Sequence, residues 1–282
     1  MTLRKAPYIF VGQVDLNVQN LERSLTFYQN VIGFQVLEQT NNKAVLTADG
    51  KTPLLVIEQP DDVIPKQPRT TGLFHFALLL PKRADLANVL KHLITIQYPI
   101  GASDHIVSEA LYLNDPDGNG IEIYTDRPAS TWTWQDGKVS MATEQLNAEN
   151  LLQEAGDAEF KVLPAGTLMG HIHLHVSELE KTAEYYHEGL GFDIVNDTYP
   201  QALFVSTGGY HHHIGLNTWN GIGASTPPVN SVGLISFKLI FPNEEARKIV
   251  LEQLEKIGAF VQEENGIIIS KDPSGNQIQL SV

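Results

Sequence analysis

Residues 12–34, GQVDLNVQNLERSLTFYQNVIGF, decide the fold, because the chain repeats them without a gap as residues 170–192, GHIHLHVSELEKTAEYYHEGLGF. A second pair of stretches also matches, GLFHFALLLP at 72–81 and GLISFKLIFP at 233–242. Such self-similarity marks a repeated supersecondary unit. The chain therefore divides into four units of two types, called A, B, A′ and B′ in chain order.

Each unit is predicted to begin with a strand and to continue into a helix. In unit A, Leu21, Leu25 and Tyr28 recur at helical spacing, and Gly33 ends the helix. Short strands follow, such as ALYLND and IEIYTD in unit B and HHHIGLN, residues 211–217, as the last strand of unit A′. The expected fold class is α+β, with four βαβββ modules that form two curled, mixed β-sheet cups.

The predicted modules group into two halves around a linker. The N-terminal half covers residues 1–126 and the C-terminal half covers residues 167–282. The modules themselves are expected at residues 8–65, 70–126, 167–222 and 230–282. The stretch 127–166 lacks the repeat and is predicted to be a linker with a short helix near 147–155.

Composition limits the classes of partner. The 282 residues carry a net charge of -14, which argues against binding to nucleic acid. No stretch reaches the roughly 18 apolar residues that span a bilayer, and the N-terminus lacks the apolar core of a signal peptide. We therefore expect a cytoplasmic protein with no membrane partner. The chain has no cysteine, so any metal must be held by His, Asp or Glu.

One carboxylate stands where charge is costly. The turn and strand DPDGNGIEIY, residues 115–124, place Glu122 between two isoleucines, and a buried charge needs a partner or a metal. The C-terminal copy, DPSGNQIQL, has Gln279 at that position. Alternate residues of a strand share a face, so His171 and His173 of GHIHLHV point the same way.

This four-unit plan resembles the vicinal oxygen chelate superfamily, which includes glyoxalase I, bleomycin-resistance proteins and extradiol dioxygenases. The resemblance is closest to bacterial catechol 2,3-dioxygenase-like proteins. Four stretches carry it: TGLFHFALLLP, HIVSEALYLNDPDGNGIEIYTDRPASTW, GHIHLHV and GGYHHHIGLN. It implies that paired modules curl their sheets into a cup around a divalent metal.

The resemblance also implies a set of metal ligands. Its pattern puts one ligand on the first strand of a module and another on the last, which His75 and Glu122 occupy in unit B. Ser236 and Gln279 occupy these places in unit B′. Together with His171 of unit A′, the set would hold Fe(II), with Mn, Zn or Ni as other divalent ions.

Two ways of pairing the units stay open. The ligand set of His75, Glu122 and His171 requires units B and A′ to face each other across one cup. The alternative pairs the units sequentially, A with B, and would offer Gln13, His75 and Glu122 as ligands.

Further residues are assigned by the same resemblance. His212 is the expected catalytic acid–base, and His213 is the candidate if the strand register slips by one residue. Tyr112, ten residues before Glu122, matches a tyrosine that donates a hydrogen bond to substrate or oxygen. His105, in SDHIVSEALYL, is a further candidate for the catalytic set. Without the resemblance, a solvated strand end would equally explain the histidines, and a core position would explain Tyr112. His173, Trp132, Trp134 and Trp219 are candidates for the pocket wall.

The implied activity is extradiol cleavage of a catechol- or hydroquinone-type ring, so the expected partners are a small aromatic substrate and O₂. Assembly of the chain into a homo-oligomer is a further expectation that the sequence does not decide. One alternative is a glyoxalase-type metal-dependent lyase or isomerase, and another is a non-catalytic resistance protein that binds small molecules. The ligand set argues against the binding protein, and His212 with Tyr112 favours the dioxygenase over the lyase.

Overall fold

The computed structural model describes residues 7–282, and all four units have the predicted βαβββ order. Unit A contains β1 (Phe10–Asn17), α1 (Leu21–Phe27), β2 (Gln35–Gln39), β3 (Lys43–Thr47) and β4 (Leu55–Glu58). Unit B contains β5 (Gly72–Leu79), α2 (Arg83–Thr95), β6 (Gly101–Asp104), β7 (Ser108–Asn114) and β8 (Gly120–Asp126). A π-helical turn, Tyr28–Ile32, continues α1. As predicted, the helical segment ends at Gly33, which adopts a φ of 91°.

The stretch 127–166, which the sequence predicts to be a linker, has a little structure of its own. It contains β9 (Trp134–Gln135), β10 (Lys138–Val139) and α3 (Ala148–Leu152), so the short helix lies within the predicted range. Unit A′ contains β11 (Leu168–His175), α4 (Glu180–Glu184), β12 (Asp193–Asn196), β13 (Ala202–Ser206) and β14 (Ile214–Asn217). Unit B′ contains β15 (Gly233–Ile240), α5 (Glu244–Lys256), β16 (Phe260–Glu264), β17 (Ile267–Lys271) and β18 (Gln277–Ser281).

The inner units share one sheet and the outer units share the other. Strand order is β12-β13-β14-β11-β5-β8-β7-β6 in the first and β16-β17-β18-β15-β1-β4-β3-β2 in the second. The first strands of paired units are antiparallel neighbours, β5 with β11 and β1 with β15. The pairing of B with A′ is therefore confirmed, and the sequential alternative is wrong. We call the concave faces the inner cup and the outer cup.

The core lies between the two sheets and under the helices. Ile172 and Leu174 of β11 are fully buried, as are Val14 and Leu16 of β1, and the two strands lie close together. Burying one such side chain contributes about 1.5–3 kcal/mol. Because strand residues alternate, this apolar packing turns His171 and His173 toward the inner cup.

One strand assignment was wrong. The sequence predicted that His211, His212 and His213 belong to the last strand of unit A′, but β14 begins only at Ile214. The three histidines form the segment that leads into it. No helix in the described part of the chain is long and apolar enough to cross a membrane.

Candidate metal centre and cavity

Three neighbouring strands of the inner cup bring His75, Glu122 and His171 together. The Nε2 atoms of His75 and His171 each lie 3.1 Å from Glu122 Oε2. All three side chains are buried, and their nearest donor atoms lie within 4.8 Å of one another. Residues from two different units therefore meet at one point.

A small residue makes this meeting geometrically feasible. Ala77 of β5 pairs with Glu122 on one side and with His171 on the other. Ala77 shares the cup-facing side of β5 with His75, because the two are separated by two positions. Its single methyl group leaves the space that the carboxylate and the imidazole occupy above it.

The donor atoms fit a divalent cation. Cis ligands at about 2.1 Å from an ion in octahedral geometry lie about 3 Å apart, which matches both nitrogen–oxygen distances. His75 Nε2 is buried and lies near the carboxylate but outside hydrogen-bond geometry, so it has no hydrogen-bond partner among the described residues. A buried nitrogen without a partner is costly, and a metal would satisfy it.

The protonation states also suit metal binding. Burial would raise the pKa of the Glu122 carboxyl, but the imidazoles of His171 and His75 hold it well below its ordinary value. Burial lowers the pKa of His171 to about 4 against the opposing effect of Glu122. Near neutral pH the pair is therefore a carboxylate and a neutral imidazole, which are the forms that ligate metals.

In the outer cup, the residues equivalent to His75, Glu122 and His171 are Ser236, Gln279 and Gln13, and their side chains hydrogen-bond to the neighbouring Asp15. Ser236 Oγ and Gln279 Nε2 each donate to Asp15 Oδ2 at 2.9 Å. Gln13 Nε2 donates to Asp15 Oδ1 at 2.6 Å. Lys238 stands in the place of Ala77, between Gln13 and Gln279, and its ammonium group donates to Gln13 Oε1 at 3.2 Å. A lysine cation thus occupies the region where the inner cup would hold a metal.

A cavity of about 290 Å³ opens over the inner cluster. Its walls are mainly aromatic, and its lining includes His75 and Glu122 at one side and Phe74, Phe204, Tyr199 and Trp219 around them. Met141 and Thr143 of the linker also line it. Ligand pockets commonly measure roughly 300–1,000 Å³, so this cavity suits a single small ring.

His212 and His213 are adjacent in sequence but lie in different surroundings. His212 lines the cavity, and its ring centroid lies 4.1 Å from that of His171. Burial and then the nearby imidazoles hold the pKa of His212 well below its ordinary value. His213 does not line the cavity. Its Nδ1 accepts hydrogen bonds from Ser206 Oγ and from the Thr207 backbone, and its ring packs on Tyr210.

Tyr112 and His105 also line the cavity and form a hydrogen-bonded pair. Their Oη and Nε2 atoms lie 2.7 Å apart, and His105 Nδ1 lies 2.7 Å from the carbonyl oxygen of Ala142. A carbonyl only accepts, so Nδ1 carries the proton and the tyrosine donates to Nε2. Burial, followed by the nearby Glu122, raises the pKa of Tyr112 well above its ordinary value.

The remaining candidates for the wall take different places. His173 and Trp219 line the cavity, and Trp134 is exposed on the surface. Trp132 is buried beside His211, with 5.2 Å between ring centroids. Sequence reasoning missed Phe74, Tyr199 and Phe204 of the aromatic wall and also Asp126, which lies behind the histidines. Period-two counting from Glu122 would have placed Asp126 on the same strand face.

Comparisons with known proteins agree with this architecture. Residues 10–123 and 168–280 match the Glyoxalase/Bleomycin resistance protein/Dioxygenase superfamily. A protein of Bacillus subtilis (strain 168) named catechol-2,3-dioxygenase is 49% identical over 266 residues, which cover 93% of each chain.

Two solved structures share the fold. A candidate dioxygenase from Bacillus subtilis superposes with a TM-score of 0.64 at 16% identity, covering 96% of this chain and 84% of its own. Glyoxalase I from Zea mays superposes with a TM-score of 0.58 at 15% identity, covering 96% and 92%. At these identities the likeness concerns the fold alone.

Proposed function

Because the chain belongs to the glyoxalase/bleomycin resistance protein/dioxygenase superfamily, we propose that it is an extradiol dioxygenase that opens catechol- or hydroquinone-type rings with O₂. The 49% identical relative named catechol-2,3-dioxygenase supports this activity. The observation that carries the proposal is the buried cluster of His75, Glu122 and His171 at the wall of an aromatic cavity, with His212 beside it.

The proposed cofactor is Fe(II), held by His75, His171 and Glu122. Two imidazoles and one carboxylate with open positions are typical of non-haem Fe(II) oxygenases, although Mn, Zn or Ni would fit the same donors. When bound, the ion would supply Lewis acidity and a common binding site for the substrate and O₂.

The chain's own residues bind the ring and move protons. Phe74, Phe204 and Trp219 enclose an aromatic ring and exclude water from it. His212 accepts the proton of a ring hydroxyl and later returns a proton to an oxygen atom of the opened ring. Tyr112 gives its hydroxyl proton to His105, so in this arrangement it accepts a hydrogen bond from a substrate hydroxyl and does not donate one, contrary to the expectation from the resemblance.

The test combines metal loading with oxygen consumption. The protein is purified without O₂, loaded with Fe(II) and mixed with catechol, substituted catechols or hydroquinones in air-saturated buffer. We expect O₂ uptake equimolar with substrate and a yellow ring-opened semialdehyde. No uptake and no colour across the series would reject the proposal, as would a metal-dependent isomerisation that consumes no O₂.

A further inference from the structure

Behind His212, a line of polar side chains leads away from the cavity to the partly exposed Asp126. His212 Nδ1 lies 2.8 Å from His211 Nδ1, and His211 Nε2 lies 2.8 Å from Asp126 Oδ1. The hydroxyl of Tyr210 lies 3.0 Å from both oxygens of Asp126 and 2.7 Å from the hydroxyl of Tyr124. His211 is fully buried, so its contact with His212 is shielded from water, whereas the side chain of Asp126 at the far end is partly exposed.

The direction of the hydrogen bonds follows from the groups themselves. An ionised carboxylate only accepts, so both His211 Nε2 and Tyr210 donate to Asp126. In neutral His211 the Nδ1 atom is then bare and must accept. The donor that it faces is His212 Nδ1, so the remaining nitrogen of His212, Nε2, carries no proton.

The opposite direction of these hydrogen bonds is unfavourable. His211 Nε2 would then have to accept, and Asp126 would have to be protonated while Tyr210 also donates to it. The carboxylate is thus the group that orders the protons of both imidazoles.

We propose that Asp126 and His211 are positioning residues that hold His212 in the tautomer with its proton on Nδ1 and a bare Nε2 for the cavity. The inference rests on the proposed function, since it assigns how the acid–base of that reaction is prepared. In the first proton transfer, the O–H bond of a ring hydroxyl breaks and an N–H bond forms at Nε2. The negative charge stays on the ring oxygen, and the positive charge on His212 is stabilised through His211 by Asp126.

The first test observes the tautomer without turnover. The full chain is labelled with ¹⁵N-histidine, and its ten imidazoles are recorded by two-bond ¹H–¹⁵N correlation above pH 7.5, metal-free and after loading with diamagnetic Zn²⁺. Signals of His212 are identified by their absence in His212→Gln. We expect a protonated Nδ1 and a bare Nε2, and a proton on Nε2 would overturn the inference.

Two variants interrupt the hydrogen-bonded series from Asp126 through His211 to His212 at different points. Asp126→Asn removes the charge, and His211→Phe keeps the ring between Trp132 and Tyr210 but removes both of its nitrogens. In each variant we expect His212 to lose its single tautomer and to show the Nε2–H form. An unchanged His212 spectrum in both variants would contradict the assignment.

Asp104→Asn is the matched control. Its carboxylate is about as exposed as that of Asp126, 21% against 23%, and it pairs with Arg127 rather than with a histidine. We expect the tautomer of His212 to be unaffected by this change. A tautomer shift in the control as large as in Asp126→Asn would mean that the general loss of a charge changes the tautomer of His212. The hydrogen bonds through His211 would then not determine which nitrogen carries the proton.

Kinetics separate this inference from the proposed function. With Fe(II)-loaded protein, we expect Asp126→Asn to lower kcat roughly 10- to 100-fold while KM stays within about twofold. A wild-type protein without O₂ uptake would reject the proposed function and leave the tautomer measurable. Active wild type together with unchanged kcat in Asp126→Asn would reject the positioning role alone.

Discussion

At position 122 a carboxylate lies buried between two imidazoles, and its repeat counterpart at position 279 is an uncharged amide. Together with Ser236, Gln13 and Lys238 at the places of His75, His171 and Ala77, this change separates a cluster that suits a cation from one that is closed by hydrogen bonds. Buried charges persist where a partner compensates them, so Glu122 is the residue on which the inner cup most depends.

Replacing Glu122 by Gln should therefore abolish tight metal binding. The amide keeps the shape but removes the negative charge, which leaves a divalent cation uncompensated in a buried site. We expect a loss of affinity greater than the roughly 10- to 100-fold that removal of a ligand's supporting partner causes. The measurement is metal content by elemental analysis after loading and dialysis.

The control for that change is Gln279→Ala, which alters the equivalent position of the outer cup and should leave metal content unchanged. If Glu122→Gln retained full occupancy, Glu122 would not be a ligand.

A second residue-scale prediction concerns Gly170. A Cβ atom built there would lie 2.3 Å from the hydroxyl of Tyr124, whose ring lies 4.9 Å from that of His171. Gly170→Ala should therefore displace Tyr124 and lower the free energy of unfolding by roughly 1–3 kcal/mol, as overpacking does. Urea denaturation measures the change.

Gly101→Ala is the companion variant, because its Cβ would meet Tyr112 Cβ at an ordinary 3.6 Å. It should alter stability by less than about 0.5 kcal/mol. Equal losses in the two variants would show that contact with Tyr124 is not the cause.

At the scale of elements, β5 and β15 are equivalent central strands, but they place different residues at the centre of their cups. Ala77 lies between Glu122 and His171 in the inner sheet, and Lys238 lies between Gln279 and Gln13 in the outer sheet. One strand leaves room for a cation, and the other supplies the cation as a side chain. The linker adds a further element-scale feature, since Met141 and Thr143 close the cavity from outside the repeats.

Ala77→Lys should convert the inner cup to the outer type. A lysine ammonium beside Glu122 would compensate the carboxylate and repel a divalent ion, so we expect metal occupancy to fall to background. Elemental analysis measures occupancy, and circular dichroism verifies the fold. Lys238→Met serves as the control and should retain metal, whereas full occupancy in Ala77→Lys would refute the argument from strand position.

For the whole molecule, charge restricts the substrate. The chain carries a net charge of -14, and no lysine or arginine is among the described residues that line the cavity. A substrate carboxylate would therefore enter a buried space without a cationic partner, which costs several kcal/mol. Apolar walls instead favour alkyl or aryl substituents.

We expect kcat/KM for 4-methylcatechol to exceed that for 3,4-dihydroxybenzoate by at least roughly a hundredfold, because a penalty of about 2.7 kcal/mol already gives that ratio. Oxygen uptake with Fe(II)-loaded protein measures both values. Comparable values for the two rings would show that a cation outside the described lining, or the metal itself, compensates the carboxylate.

The sequence alone determined the four-unit repeat, the βαβββ order and the cup-facing histidines, because gapless repetition and strand alternation are local properties of the chain. It also pointed to Glu122, since a carboxylate between isoleucines is unusual without a partner. The tertiary structure decided which units share a sheet, and so which residues from distant strands meet at one point. It also decided which of the three adjacent histidines faces the cavity and that Asp126 lies behind them. These outcomes depend on pairing between strands far apart in the chain, whose free energy comes from burial across two sheets and is not encoded in any single segment.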